Sequence, residues 1–182
     1  MIDFTLTPRQ ADIQQSARKF AADVLGSAAS VYSRHPNQKS RFQATRPFYQ
    51  AAVKHGLLKS FLPAPLGGTS EGFVDCVIAI EELFAVEPGI SLTLAASVLG
   101  LLPIILAGTP AQQEKYIKPF LDEGEPLASL MHSEPGGTAN WLEKGGAGLQ
   151  TTARLSEDEK GWIINGEKVS KLSVLSNSLS SC

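Results

Sequence analysis

A chain of 182 residues, 43% of them hydrophobic, is long enough to bury one core of ordinary size, or one domain and part of a second. A net charge of -2 leaves no basic face to neutralise the phosphates of DNA or RNA, so nucleic acid is excluded as a partner. Cys76 and Cys182 lack the spacing of a disulfide framework or a zinc site, and MIDFTLTPRQ reads as neither a secretory signal nor a transit peptide, so a reducing, cytoplasmic setting is expected.

The first element is announced by Thr7, Pro8 and Gln10: a capping threonine, a proline at the first helical position and a glutamine that reaches back to the cap. Ile13, Ala17, Phe20 and Val24 then share one stripe, which predicts an amphipathic helix ending near Gly26. A polar stretch through His35 and Pro36 separates it from a second helix, entered at Thr45 and Pro47, carrying Phe48 and Ala52 and ending at Gly56. FLPAPLGGT cannot extend a helix and is expected to form a structured loop. In the third helix Phe73, Val77, Ile80 and Phe84 recur at helical spacing. Its Glu81 and Glu82 point about 100° apart, too far to flank one substrate, and read as solvated helix charge.

Residues 88–113 carry no charge and include GISLTLAASVLGLLPIILAG, about the ~20 residues that a membrane-spanning helix needs. The break expected at Pro103, the hydroxyls of Ser91, Thr93 and Ser97, and flanks without a basic bias favour a buried helix of a water-soluble fold and no membrane partner. Thr109, Pro110 and Gln112 repeat the first capping signal and open a short helix through Tyr116 and Ile117. After Gly124 the period changes. Leu127 to His132 reads as a short strand, and Leu149 to Leu155 and Trp162 to Ile164 read as strands bracketing a hairpin loop, SEDEKG. The expected fold class is therefore α+β: an all-α domain over 1–124, an incomplete antiparallel β domain over 125–168, and a serine-rich tail over 169–182.

MHSEPGGTANW, residues 131–141, supports two readings. It is a strand-ending turn, or it is a ligand loop in which backbone N–H groups, the Ser133 and Thr138 hydroxyls and the Asn140 amide meet a planar heterocycle or a pyrophosphate, with Trp141 stacking or packing. His132 reads as a hydrogen-bonded strand residue rather than a base, because no nucleophile or second carboxylate is identifiable beside it. Gly145, Gly146 and Gly148 lack the spacing of a nucleotide-binding fingerprint and read as a flexible turn.

Taken together, RFQATRPFYQ, PLGGT, EELFAVEP, GLLPIILAGTPAQQEKY, LASLMHSEPGGTANWLEKGGAGLQTTAR and WIINGEK make residues 4–168 resemble the flavin-dependent acyl-CoA dehydrogenases, and their nitroalkane oxidase branch more closely. The resemblance implies a helical N-terminal domain, a middle β domain and a C-terminal four-helix domain, with FAD between the middle domain and the helices. It puts Met131, His132, Ser133 and Glu134 in the strand-end loop that touches the flavin ring through backbone groups and a hydroxyl. Thr138, Ala139, Asn140 and Trp141 fall where the next loop meets the cofactor or its phosphates. Most acyl-CoA dehydrogenases have glycine, serine and aspartate where this chain has Thr138, Ala139 and Asn140, which weakens the case for a CoA ester and leaves a small nitroalkane as the expected substrate. The apolar helix from Ile90 would line the substrate tunnel, its lack of charge reflecting burial.

The chemistry implied is removal of a proton next to the nitro or carbonyl group by a carboxylate, with the electrons passing to the flavin. That carboxylate belongs to the family's C-terminal domain, so no residue of this sequence is assigned as catalytic. The chain is expected to be truncated, inactive alone and weak or lacking in FAD retention, although the family is homo-oligomeric. Asn165, Gly166 and Lys168 match the family, whereas Val169, Ser170 and Lys171 do not, so the tail is expected to be non-native sequence. Two rival readings are an acyl-CoA dehydrogenase and a non-catalytic helical module that binds a partner through an uncovered apolar surface.

Overall fold

The computed structural model describes residues 5–122, 126–135 and 143–169. Helix α1 (Pro8–Asp23) starts as its capping signal dictates: the Thr7 hydroxyl accepts from the Gln10 N–H at 3.2 Å, and the Gln10 side chain accepts from the Thr7 N–H at 3.0 Å. Two otherwise orphaned donors are thereby satisfied. The stretch expected to be a polar linker instead folds into a 3-10 turn (Leu25–Ser27), α2 (Ala28–Tyr32) and α3 (Gln38–Ala44). Helix α3 buries no residue and rests on a local cap, Asn37 accepting from the Ser40 N–H at 2.9 Å, a signal that a search for apolar stripes misses.

Helix α4 (Arg46–Lys54) ends where expected: Gly56 takes the left-handed conformation, φ 86°, and turns the chain into α5 (Leu57–Ser60). FLPAPLGGT is a loop containing a 3-10 turn (Ala64–Leu66). Helix α6 (Phe73–Phe84) forms, but the face it buries is not the one that its largest side chains suggest. Cys76, Ala79 and Leu83 pack inward, while Phe73 is 83% exposed and Val77 lies on the surface. The three inward residues share a cluster with Ala17, Phe20 and Ala21 of α1, and ion pairs join the two helices, Arg9 to Asp75 at 2.6 Å and Arg18 to Glu82 at 2.7 Å. Glu82 is therefore a paired, mostly buried carboxylate rather than solvated charge. Its carboxyl is held below the ordinary range by Arg18. Burial works against the charge on Asp75, yet the Arg9 guanidinium and the Glu71 N–H together hold its carboxyl below the ordinary range as well.

Helix α7 (Pro88–Ala107) continues through Pro103. Leu101 before the proline and Ile104 and Ile105 after it belong to one apolar cluster, so packing on both flanks offsets the lost hydrogen bond. Helix α8 (Pro110–Leu121) repeats the capping box at Thr109 and Gln112 and likewise runs through a proline, Pro119, beyond the short helix expected. Two clusters form the core: Phe20, Leu25, Leu57, Leu83, Ile90 and Leu94 belong to one, and Leu58, Leu62, Leu101, Ile117 and Phe120 to the other, with Val53 and Val98 packed against both. Helix α7 is long and apolar enough to cross a membrane, with 33% of that window buried. The helix expected to be buried is buried on one face only, with Ile90, Leu94 and Leu101; Leu92, Leu99, Leu102 and Leu106 are exposed among the described residues, so burial accounts for the lack of charge on one face and not on the other.

Strands β1 (Thr152–Leu155) and β2 (Trp162–Asn165) pair antiparallel, Leu155 opposite Trp162, and the loop expected at SEDEKG joins them. All eight residues are exposed in the burial pattern, so this ribbon has no core of its own. Leu127 to His132, expected as a strand, takes no regular secondary structure and pairs with no strand among the described residues. The tail, except Val169, lies outside the described residues.

Candidate functional site

Residues 126–134 form a strap between the helices and the hairpin. At its start the Tyr49 hydroxyl donates to the Pro126 carbonyl at 2.9 Å. The strap then lies against α7 at Gly100, where even a Cβ would stand 2.6 Å from the Ser129 nitrogen and 2.8 Å from the Ala128 carbonyl carbon. Glycine is needed at this position because it brings one backbone against another. At its far end the strap meets the exit of β2: the Val169 N–H donates to the Ser133 carbonyl at 3.0 Å, and the Lys168 ammonium donates to the His132 carbonyl at 3.0 Å.

Glu134 closes the arrangement. Its carboxylate accepts from the Gln150 N–H at 2.5 Å, the Thr151 N–H at 2.9 Å and the Lys168 ammonium at 2.7 Å, with the side chain 5% exposed. The Lys168 ammonium foremost, then the two backbone donors, hold this carboxyl down at about 2. One carboxylate thereby ties the strap to the entry of β1 and the exit of β2 together.

Met131, His132, Ser133 and Glu134, named from the sequence, thus sit in one turn: Met131 exposed, His132 and Ser133 half-buried, Glu134 buried. Thr138, Ala139, Asn140 and Trp141 lie outside the described residues. The side chain of Glu134 is committed to three protein donors, so what it offers a ligand is its backbone. Sequence reasoning missed Lys168, Gly100 and Tyr49 as parts of the site. A glycine inside an otherwise apolar helix was the available signal for close approach. No local period reveals that Lys168 reaches a carboxylate 34 residues earlier. No group of His, Cys, Asp and Glu able to hold a metal ion occurs among the described residues. A flavin ring presents carbonyl and nitrogen acceptors, and a turn that offers peptide N–H groups and the Ser133 hydroxyl from a half-buried position fits such a group.

The family model of the acyl-CoA dehydrogenase N-terminal domain matches residues 7–124. The chain is 58% identical over 170 residues to the nitroalkane oxidase of Fusarium oxysporum, covering 93% of this chain and 38% of that protein. A nitroalkane oxidase active-site mutant crystallized with 1-nitrooctane superposes with a TM-score of 0.84 at 56% identity, over 93% of this chain and 39% of that one. An acyl-CoA dehydrogenase from Bacillus anthracis, complexed with FAD, superposes with a TM-score of 0.71 at 26% identity, over 92% of this chain and 27% of that one. This chain therefore spans well under half the length of these relatives. The family model covers more than half of the residues, and on that match the chain belongs to the acyl-CoA dehydrogenase family, with residues 7–124 matching its N-terminal domain.

Proposed function

We propose that this chain serves an FAD-dependent oxidoreductase of the nitroalkane oxidase type, supplying the helical wall of the substrate site and the strand-end turn that meets the flavin. The observation that carries this reading is the 58% identity with a nitroalkane oxidase over 170 of the 182 residues. A match of that length necessarily takes in the strap and the hairpin. The flavin, when bound, accepts the electrons released from the substrate. The chain's own share is positioning. Ser133 and the peptide groups of residues 131–134 orient the ring, and the apolar face of α7 excludes water beside it. No acid of the turn serves as the base, because Glu134 is spent on Gln150, Thr151 and Lys168. A cytosolic location agrees with the buried, free thiol of Cys76.

A CoA-ester substrate is the second reading, supported by the likeness to an acyl-CoA dehydrogenase at 26% identity, and it is weaker than the nitroalkane reading at 58%. Titration of the chain with FAD, followed by flavin fluorescence and amide hydrogen exchange, tests the proposal. Expected is saturable binding too weak to survive desalting, with protection centred on residues 131–134. Absence of saturable binding, or protection confined to other segments, would overturn it. Addition of 1-nitrohexane or of an acyl-CoA to the flavin-loaded chain then separates the two substrate classes by which one perturbs the flavin signal.

A further inference from the structure

We infer that Lys168 is a positioning residue: together with Val169 it sets the direction in which the peptide planes of the 132–134 turn face. This role rests on the flavin reading for its purpose, though not for its geometry. A trans peptide is planar, so its carbonyl and its N–H point in opposite directions. The plane whose carbonyl belongs to His132 carries the N–H of Ser133. Because the Lys168 ammonium holds that carbonyl at 3.0 Å, the Ser133 N–H is turned away from Lys168. The next plane joins the Ser133 carbonyl to the Glu134 N–H, and the Val169 N–H, holding that carbonyl at 3.0 Å, turns the Glu134 N–H away from the hairpin. Two successive donors are thereby aimed by contacts made behind them.

The lysine is itself fixed, because its ammonium also donates to Glu134 Oε1 at 2.7 Å and its side chain is 23% exposed. Glu134 is fixed in turn by the Gln150 and Thr151 N–H groups. The hairpin thus acts on the turn through one ammonium, and a ligand on the opposite side meets donors that need no reorganisation on binding. Lys168 touches no substrate or cofactor in this arrangement. Its effect is exerted through the turn.

The test uses the full chain with Lys168→Met, which keeps most of the unbranched apolar stem and removes the charge, and Lys168→Arg, which restores the charge. A Lys168→Met, Glu134→Gln double variant removes both partners, so that no buried carboxylate is left unpaired if the single variant folds poorly. Amide exchange at Val169, whose N–H is protected by its bond to the Ser133 carbonyl, is expected to rise by about tenfold in Lys168→Met and in the double variant, the loss of roughly one charge-assisted hydrogen bond, and to return toward the original rate in Lys168→Arg. Helix α1 exchange should not move. FAD affinity should fall by about tenfold in step, with loss of the flavin spectral shift given by the unmodified chain. Unchanged exchange at Val169 in both charge-removing variants overturns the role of Lys168, whatever the flavin does. If the unmodified chain shows no flavin response while Lys168→Met still frees the Val169 amide, the flavin reading fails and the positioning stands.

Discussion

The helices and the hairpin are held by different forces. Residues 8–121 bury Phe20, Leu25, Leu83 and Leu94 and the Leu58, Leu62, Leu101, Ile117 and Phe120 cluster, so their stability is that of apolar surface removed from water. Strands β1 and β2 are exposed throughout, and the described contacts that tie them to the strap are polar: the Val169 N–H, the Lys168 ammonium and the Glu134 carboxylate. Apolar burial is non-directional and tolerates small shifts, whereas a hydrogen-bonded clamp fixes orientation at little cost in area. Residues 132–134, which belong to the candidate site, are held by the second kind of contact.

Removing core volume should strike the helical region hardest. Leu83 is fully buried, and Leu83→Ala is expected to cost about 2–5 kcal/mol in chemical denaturation followed by helical circular dichroism. A cost below about 1 kcal/mol would mean that apolar burial does not distinguish the two regions. Next in size is Gly100→Ala, which drives a methyl into the backbone of Ala128 and Ser129. Alanine favours the helix itself, so the expected net loss is about 1–3 kcal/mol, with faster amide exchange confined to the strap. Uniform loosening of α7 instead would place the close approach elsewhere.

Acid gives the smallest and most local effect. The Glu134 carboxyl has its ordinary value of 4.5 lowered to about 2 in the folded chain. Its contribution is fully present above 4.5 and is lost as the pH falls from there toward 2, because protonation removes the acceptor of Lys168. Carbon NMR of the Glu134 carboxyl should give a midpoint near the lower value, while the helical signal persists after the clamp opens. A midpoint at the ordinary value would erase the polar half of the comparison.

Much of this was legible along the chain. Both Thr-Pro-x-Gln signals produced the capping boxes expected, Gly56 ended its helix, and the SEDEKG loop joined the two strands it was expected to join. Each is a local event, decided within one turn of backbone. Misreadings arose where local preference met packing. Pro103 failed to stop its helix and α8 ran on past Ile117 through Pro119, because flanking side chains are pinned in a cluster, and α6 turned its Phe73 outward while Cys76, Ala79 and Leu83 packed with Ala17, Phe20 and Ala21 of α1. For the candidate site, the sequence nominated residues 131–134 but gave no sign of the contacts that Lys168 and Val169 make with them.

Sequence alone determined that α1, α4, α6, α7 and α8 form, the Thr7 and Thr109 caps, the hairpin and the change of period after Gly124, since period and capping depend on residues a few positions apart. Only the tertiary structure decided which face each helix buries, that the strap crosses α7 at Gly100, and that Lys168 and Glu134 meet behind the turn. Those outcomes depend on groups far apart in the chain, whose approach is set by the packing of whole elements and leaves no period in the sequence.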